Sequence, residues 1–156
     1  MSELISARFD RIIYENLPKR KEMMDILIDK AADAKMFSEK RKGLKTILSE
    51  TGRLVDLKGI YAFIENAKVV YLDESSYVFQ RVIRQFKGSS KYQKRLAHLM
   101  VEINKTDLPS YDTEMAIEQM KQMKIAFMDI PDDLERKVTT LYLQCQYECI
   151  YNNFAD

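Results

Sequence analysis

The sequence predicts an all-α protein: a single compact domain over residues 1–156, with seven to eight helices in a helical bundle and a long C-terminal helix. Three observations lead there. Apolar residues recur at three- and four-residue spacing along most of the chain. Breakers are scarce, with 4 Gly and 3 Pro. The remainder, 46% hydrophobic and 31% charged, is the composition of an ordinary globular chain and not of a disordered one.

Taken in order, Ser2 is placed to cap a first helix whose apolar face is Ile5, Phe9, Ile12, Ile13 and Leu17. Pro18 suits the first turn of a second helix, reaching about Phe37. Ser38 starts a short third one with Leu44, Ile47 and Leu48, which Gly52 can stop. A fourth helix is expected from Asp56 through Ile60, Phe63 and Ile64 to Ala67. The stretch AKVVYL, 67–72, also suits a strand through Val69, Val70 and Tyr71. A lone strand has nothing to pair with, so helix or turn is expected there. The fifth and sixth helices cover about 74–87 and 90–104. Leu108-Pro109-Ser110 interrupts the chain, and a seventh helix follows from about Ser110 or Asp112 to Phe127. Asp129-Ile130-Pro131 interrupts it again, and Pro131 opens an eighth helix to about Asn153.

Several function classes drop out on composition. No apolar run approaches a membrane span, and MSELISARFDRII is too acidic and amphipathic for a signal peptide. Two cysteines imply no disulfide framework. The expected setting is therefore cytoplasmic and reducing, with no membrane partner. A single histidine rules out a multi-His metal site, and Cys145 with Cys149 lacks the two further ligands zinc needs. Both thiols are expected in the core. Glycines at 43, 52, 59 and 88 are too scattered for a phosphate loop. The residues thus assign no catalytic group, no metal ligand and no cofactor.

Charge is unevenly spread. Residues 1–104 carry 20 Lys and Arg against 14 Asp and Glu, whereas residues 105–156 carry 5 against 10. Such opposed fields bear on partners more than on fold. Three surfaces follow.

The first is basic. In RVIRQFKGSSKYQKRLAH, 81–98, helical wheels turn Val82, Ile83 and Phe86 inward, and Leu96 and Leu99 inward on the next helix. They leave Tyr77, Arg81, Arg84, Lys87, Lys91, Lys94, Arg95 and His98 facing out. Such a face can neutralise phosphates without reading bases. It is not a DNA-reading helix-turn-helix, because Arg84, Lys87, Ser89 and Lys94 stand where that unit wants small or apolar residues.

The second is acidic. Glu22, Asp25, Asp29 and Asp33 share one side of the second helix, a row of the kind that Mg²⁺-dependent all-α hydrolases use. No matching carboxylate pair occurs elsewhere, so a solvated face that binds no catalytic metal is expected.

The third lies on the last two helices. Leu134, Val138, Leu141, Tyr142, Cys145 and Cys149 make one apolar stripe of the eighth, and Leu143, Tyr147, Ile150, Tyr151 and Phe154 make another almost opposite. A helix apolar on two faces is either central in its own domain or shared with a partner. In the seventh helix Met115, Met120, Met123 and Phe127 make the main face, and Ile117, Ile125 and Met128 fall outside it. The leading expectation is a non-enzymatic interaction protein (adaptor, inhibitor or assembly subunit) meeting a protein partner or a second copy through Leu143, Tyr147, Ile150, Tyr151, Phe154, Ile117 and Met128, with the first stripe buried. A nucleic-acid-associated protein using the basic face is the alternative, and a Mg²⁺-dependent hydrolase the third.

Overall fold

The computed structural model describes residues 2–152 and corrects the predicted fold class: helices pack around a four-stranded antiparallel sheet, so the fold is α/β and not all-α. Strand β1 is Ala32–Asp33, β2 Gly59–Glu65, β3 Lys68–Ser75 and β4 Lys124–Asp129, in sheet order β1-β4-β2-β3. The physical reason is plain in β2. All but its last residue are buried, so GIYAFIE reads as one apolar run without the alternation of a half-exposed strand. Its β-branched and aromatic content was the distinguishing signal. Once Gly59–Glu65 is a strand, AKVVYL has its partner: Phe63 lies opposite Tyr71, and Tyr61 opposite Asp73. On the other flank Ala62 lies opposite Ala126. That second pairing needs Gly59, where a Cβ would collide with the Met128 carbonyl. The β2–β3 turn holds Asn66 and Ala67 at φ 51° and 65°, as a tight hairpin turn requires.

The helices are α1 Ser2–Arg11, α2 Leu17–Asp29, α3 Leu44–Glu50, α4 Val78–Lys87, α5 Arg95–Asn104, α6 Thr113–Met120 and α7 Asp133–Gln146. Between α1 and α2 the chain stays helical through a π-helical turn, Ile12–Asn16, with Pro18 in the first turn of α2. The expected break before Pro18 is absent, and Ile5 and Phe9 are exposed. Helix α2 stops at Asp29, short of Phe37, which belongs to a 3₁₀ turn over Ala34–Ser38. Residues 124–127, expected at the end of the seventh helix, belong to β4.

The sheet is covered on both faces. Tyr61, Phe63, Tyr71 and Ile125 pack against Phe37, Ile47, Phe79, Phe86, Leu96, Met100 and Met120. The alternate residues Ile60, Ala62, Leu72 and Met128 pack against Met24 of α2 and Leu143 of α7. Helix α4 is fixed at its start by Asp56, twenty-odd residues earlier, whose carboxylate accepts from the Phe79 and Gln80 amides at 2.8 and 3.1 Å.

Helix α7 turns an unexpected face inward. Its buried residues are Arg136, Thr139, Thr140, Leu143 and Gln144. Arg136 is 2% exposed and donates to Glu74 at 2.6 Å, to Asp133 at 2.7 Å and to the Ile130 carbonyl at 3.1 Å. Polar residues therefore define much of the inside, which divides both predicted stripes: Cys149 of the first is buried as expected, and Leu134, Val138 and Tyr142 are half-buried. Leu141 and Cys145 of the expected buried stripe are exposed, while Leu143 of the expected interface stripe is fully buried. Met128 and Tyr151 are also buried in the core, Ile117 and Tyr147 are half-buried, Ile150 is exposed, and Phe154 lies outside the described residues. The helix ends at Gln146 rather than at Asn153, and the chain reverses at Glu148, φ 50°. Tyr151 then donates its amide to the Val70 carbonyl at 2.9 Å. The Asn152 side chain accepts from the Leu72 amide at 2.7 Å and donates to its carbonyl at 2.9 Å. The outer edge of β3 is closed in this way. Among the described residues no helix is long and apolar enough to cross a membrane.

Candidate functional site

A cavity of about 450 Å³ opens where β3 leaves the sheet and the α4–α5 turn folds over it. Strand alternation supplies its floor: Tyr71 and Asp73 are two apart on β3 and point the same way. The Tyr71 hydroxyl donates to Asp73 Oδ2 at 3.1 Å, and the Glu74 amide donates to Asp73 Oδ1 at 2.8 Å. Burial raises the Asp73 carboxyl above the ordinary aspartate range, against the pull of those two donors and of Arg81. Burial likewise pushes the Tyr71 hydroxyl well up.

Beneath this floor Tyr61 is fully buried and Asp73's cross-strand neighbour. Gln85 of α4, also fully buried, donates to the Tyr61 hydroxyl at 3.1 Å and accepts from the Leu96 amide at 3.0 Å. One side chain thereby ties β2, α4 and the first turn of α5 together. Burial, then the Asp73 charge, raises the Tyr61 hydroxyl. These groups hold the cavity's shape.

The walls carry the charge. Arg81 lies over the Tyr92 ring, 4.8 Å from its centroid, and donates to the Tyr92 carbonyl at 3.1 Å. Arg95 faces it from the start of α5. Among the described residues no carboxylate forms an ion pair with Arg81 or Arg95, nor any cation with Asp73, whereas Glu74 is engaged by Arg136 at 2.6 Å. A second cavity of about 420 Å³, lined by Lys91, His98 and Glu102, shares Tyr92, Arg95 and Leu99 with the first, so the two form one groove.

The expected basic face is thus divided. Arg81, Lys91, Arg95 and His98 line the groove together with Tyr92, which was not part of that face. Arg84 is exposed away from it, Lys94 is half-buried at the α5 cap, and Tyr77 is exposed at the start of α4. Lys87 is bound to the Glu39 and Lys42 carbonyls and fastens a loop instead. Tyr71, Asp73, Gln144 and Asn152 escaped the sequence reading, and Tyr151 was expected at a protein interface instead; the single available signal was the polar i, i+2 pair Tyr71 and Asp73 on a strand.

The acidic row is broken up as well. Asp25 bonds Lys21 and the Tyr147 hydroxyl at 2.8 and 2.6 Å, and Asp33 sits on β1, paired with Lys124 at 2.7 Å. Asp25 and Asp29 border a wider hollow of about 870 Å³ beside the β2–β3 turn. Among the described residues no three His, Cys, Asp or Glu side chains are grouped to hold a metal ion. Burial pushes the Cys149 thiol up to about 12.

Compared with known protein families, with characterised proteins and with solved structures, the chain finds no match.

Proposed function

We propose that the chain is a nucleic-acid-associated protein that holds phosphate and base in the groove between β3 and the α4–α5 turn. The observation that carries this reading is the pair Arg81 and Arg95, converging on a cavity with no ion-pair partner among the described residues and with Tyr71 and Tyr92 beside them. Arginine suits phosphate because its planar fork donates two parallel hydrogen bonds. An exposed tyrosine against it offers a face on which a base can stack. Lys91 and His98 continue the groove and extend the contact along a backbone. Glu74 is already engaged by Arg136, so the cavity holds no free pair of carboxylates, which favours holding a ligand over cleaving one.

Fluorescence anisotropy with a labelled single-stranded oligonucleotide tests it. Binding is expected to fall steeply with salt, and Arg95→Ala to weaken it about tenfold while Arg84→Ala changes it little. No binding at low salt, or equal effects of the two variants, would overturn the reading.

A second reading, association with a protein partner, is favoured by a different observation: Leu4 and Ile5 on α1 and Tyr14 beside it are 75%, 60% and 78% exposed. Light scattering of wild type and Ile5→Glu would show whether this surface, rather than the C-terminal helices, carries contact.

A further inference from the structure

Asp73 is out of place in a site for phosphate alone, because a carboxylate repels one. We infer that the groove selects ribose phosphates over deoxyribose phosphates and that Asp73 is the residue that reads the difference, an inference that rests on the nucleic-acid reading above.

The reasoning is one of unfilled capacity. An ionised carboxylate offers about four lone-pair positions. Asp73 uses one on Tyr71 and one on the Glu74 amide, one per oxygen. Each oxygen therefore keeps one open, and neither Arg81 nor Arg95 closes on it. Two other acceptors of the cavity wall are taken within the fold, Glu74 by Arg136 and the Asn152 side-chain carbonyl by the Leu72 amide. A ligand that satisfies the site must bring anionic oxygens for the arginines and, a few ångströms away, hydroxyl donors for Asp73. A nucleoside 5′-phosphate, free or at the 3′ end of an RNA strand, carries two adjacent sugar hydroxyls, matching two adjacent carboxylate oxygens beside two arginines; an internal RNA ribose still offers its 2′-hydroxyl. A deoxyribose lacks that hydroxyl and leaves the carboxylate facing its phosphate unpaired. Rejection by an unsatisfied polar group is the strongest discrimination a small pocket achieves. The dimensions agree: about 450 Å³ at Asp73 holds a sugar and phosphate, and the adjoining space beside Tyr92, His98 and Leu99 holds a base.

The experiment measures affinity at one pH and one salt for four probes: a single-stranded oligoadenylate in its RNA and DNA forms, and AMP and dAMP. Wild type is expected to favour the ribose form of at least one pair by about tenfold or more. Selection seen with the polymers marks RNA as the source of the sugar, and selection seen with the mononucleotides marks a free nucleotide. Asp73→Asn, checked for folding by its melting curve, should reduce the preference to near unity without weakening the deoxy form, since the repulsion disappears with the charge. Arg95→Ala should weaken both forms and leave the preference intact. Equal binding of ribose and deoxyribose forms, with Arg95→Ala weakening both, would overturn the inference and spare the proposed function. Binding to none of the four would remove the proposed function too. If Asp73→Asn tightens both forms equally, Asp73 only repels anions and reads no hydroxyl, and the inference fails.

Discussion

The two layers that cover the sheet are built on opposite principles. The layer of α4, α5 and α6 is held by rings: Phe37, Phe79 and Phe127 meet one another, with Phe79 and Phe127 edge-on at 4.9 Å, and Phe63 meets Phe86 at 6.0 Å. The layer of α2 and α7 meets the sheet through smaller apolar residues, and α7 is anchored by Arg136 and Gln144. Rings give non-directional attraction that grows with area. Arg136 and Gln144 give directional bonds to the Ile130 and Leu72 carbonyls, so they fix where the helix sits as much as how firmly. The difference matters for the groove, whose floor comes from the ring side and whose outer wall comes from Gln144, Tyr151 and Asn152.

The sharpest way to break the comparison is to remove a ring. Phe63→Ala should cost about 3–5 kcal/mol in urea unfolding, because neighbours on three elements cannot collapse into the space. Next comes Arg136→Ala, expected at about 3 kcal/mol, since Glu74 and two carbonyls lose their donor. If polar anchoring sets position rather than bulk stability, Arg136→Met should recover part of that loss while groove binding stays impaired. A loss near zero for Arg136→Ala would mean α7 is held by Leu143 alone. The smallest effect belongs to neither layer. Ala67 sits at φ 65°, where L side chains are disfavoured, so Ala67→Gly should raise stability by about 1 kcal/mol. A gain confined to the hairpin in hydrogen exchange would show that the two layers report on β2–β3 independently.

The same contrast explains what could be read from the residues. Helices α4 and α5 were legible because each has one apolar face and one charged face, and the outward side of those helices contains Arg81, Arg95 and His98 of the groove. Strands β2 and β4 were not, since burial on both faces erases the two-residue period that distinguishes a strand. The inside of α7 was illegible for the opposite reason: Arg136, Thr139 and Gln144 recur at helical spacing but are polar, and a hydropathy pattern assigns them to solvent. The rest of the groove depends on distant chain. Tyr71 and Asp73 meet Arg81 only after β3 pairs with β2, and Asn152 reaches Leu72 across eighty residues.

That last contact bears on the order in which the protein can be made. The β2–β3 hairpin and the α4–α5 pair leave the ribosome well before residues 144–152 do. Until those arrive, the Val70 and Leu72 backbone groups stand open along a strand that is apolar on both faces, a ready surface for another nascent chain. Completion of the sheet is thus a late event of synthesis, and a chain cut short before Gln144 should be a substrate for chaperones rather than a smaller version of the same protein.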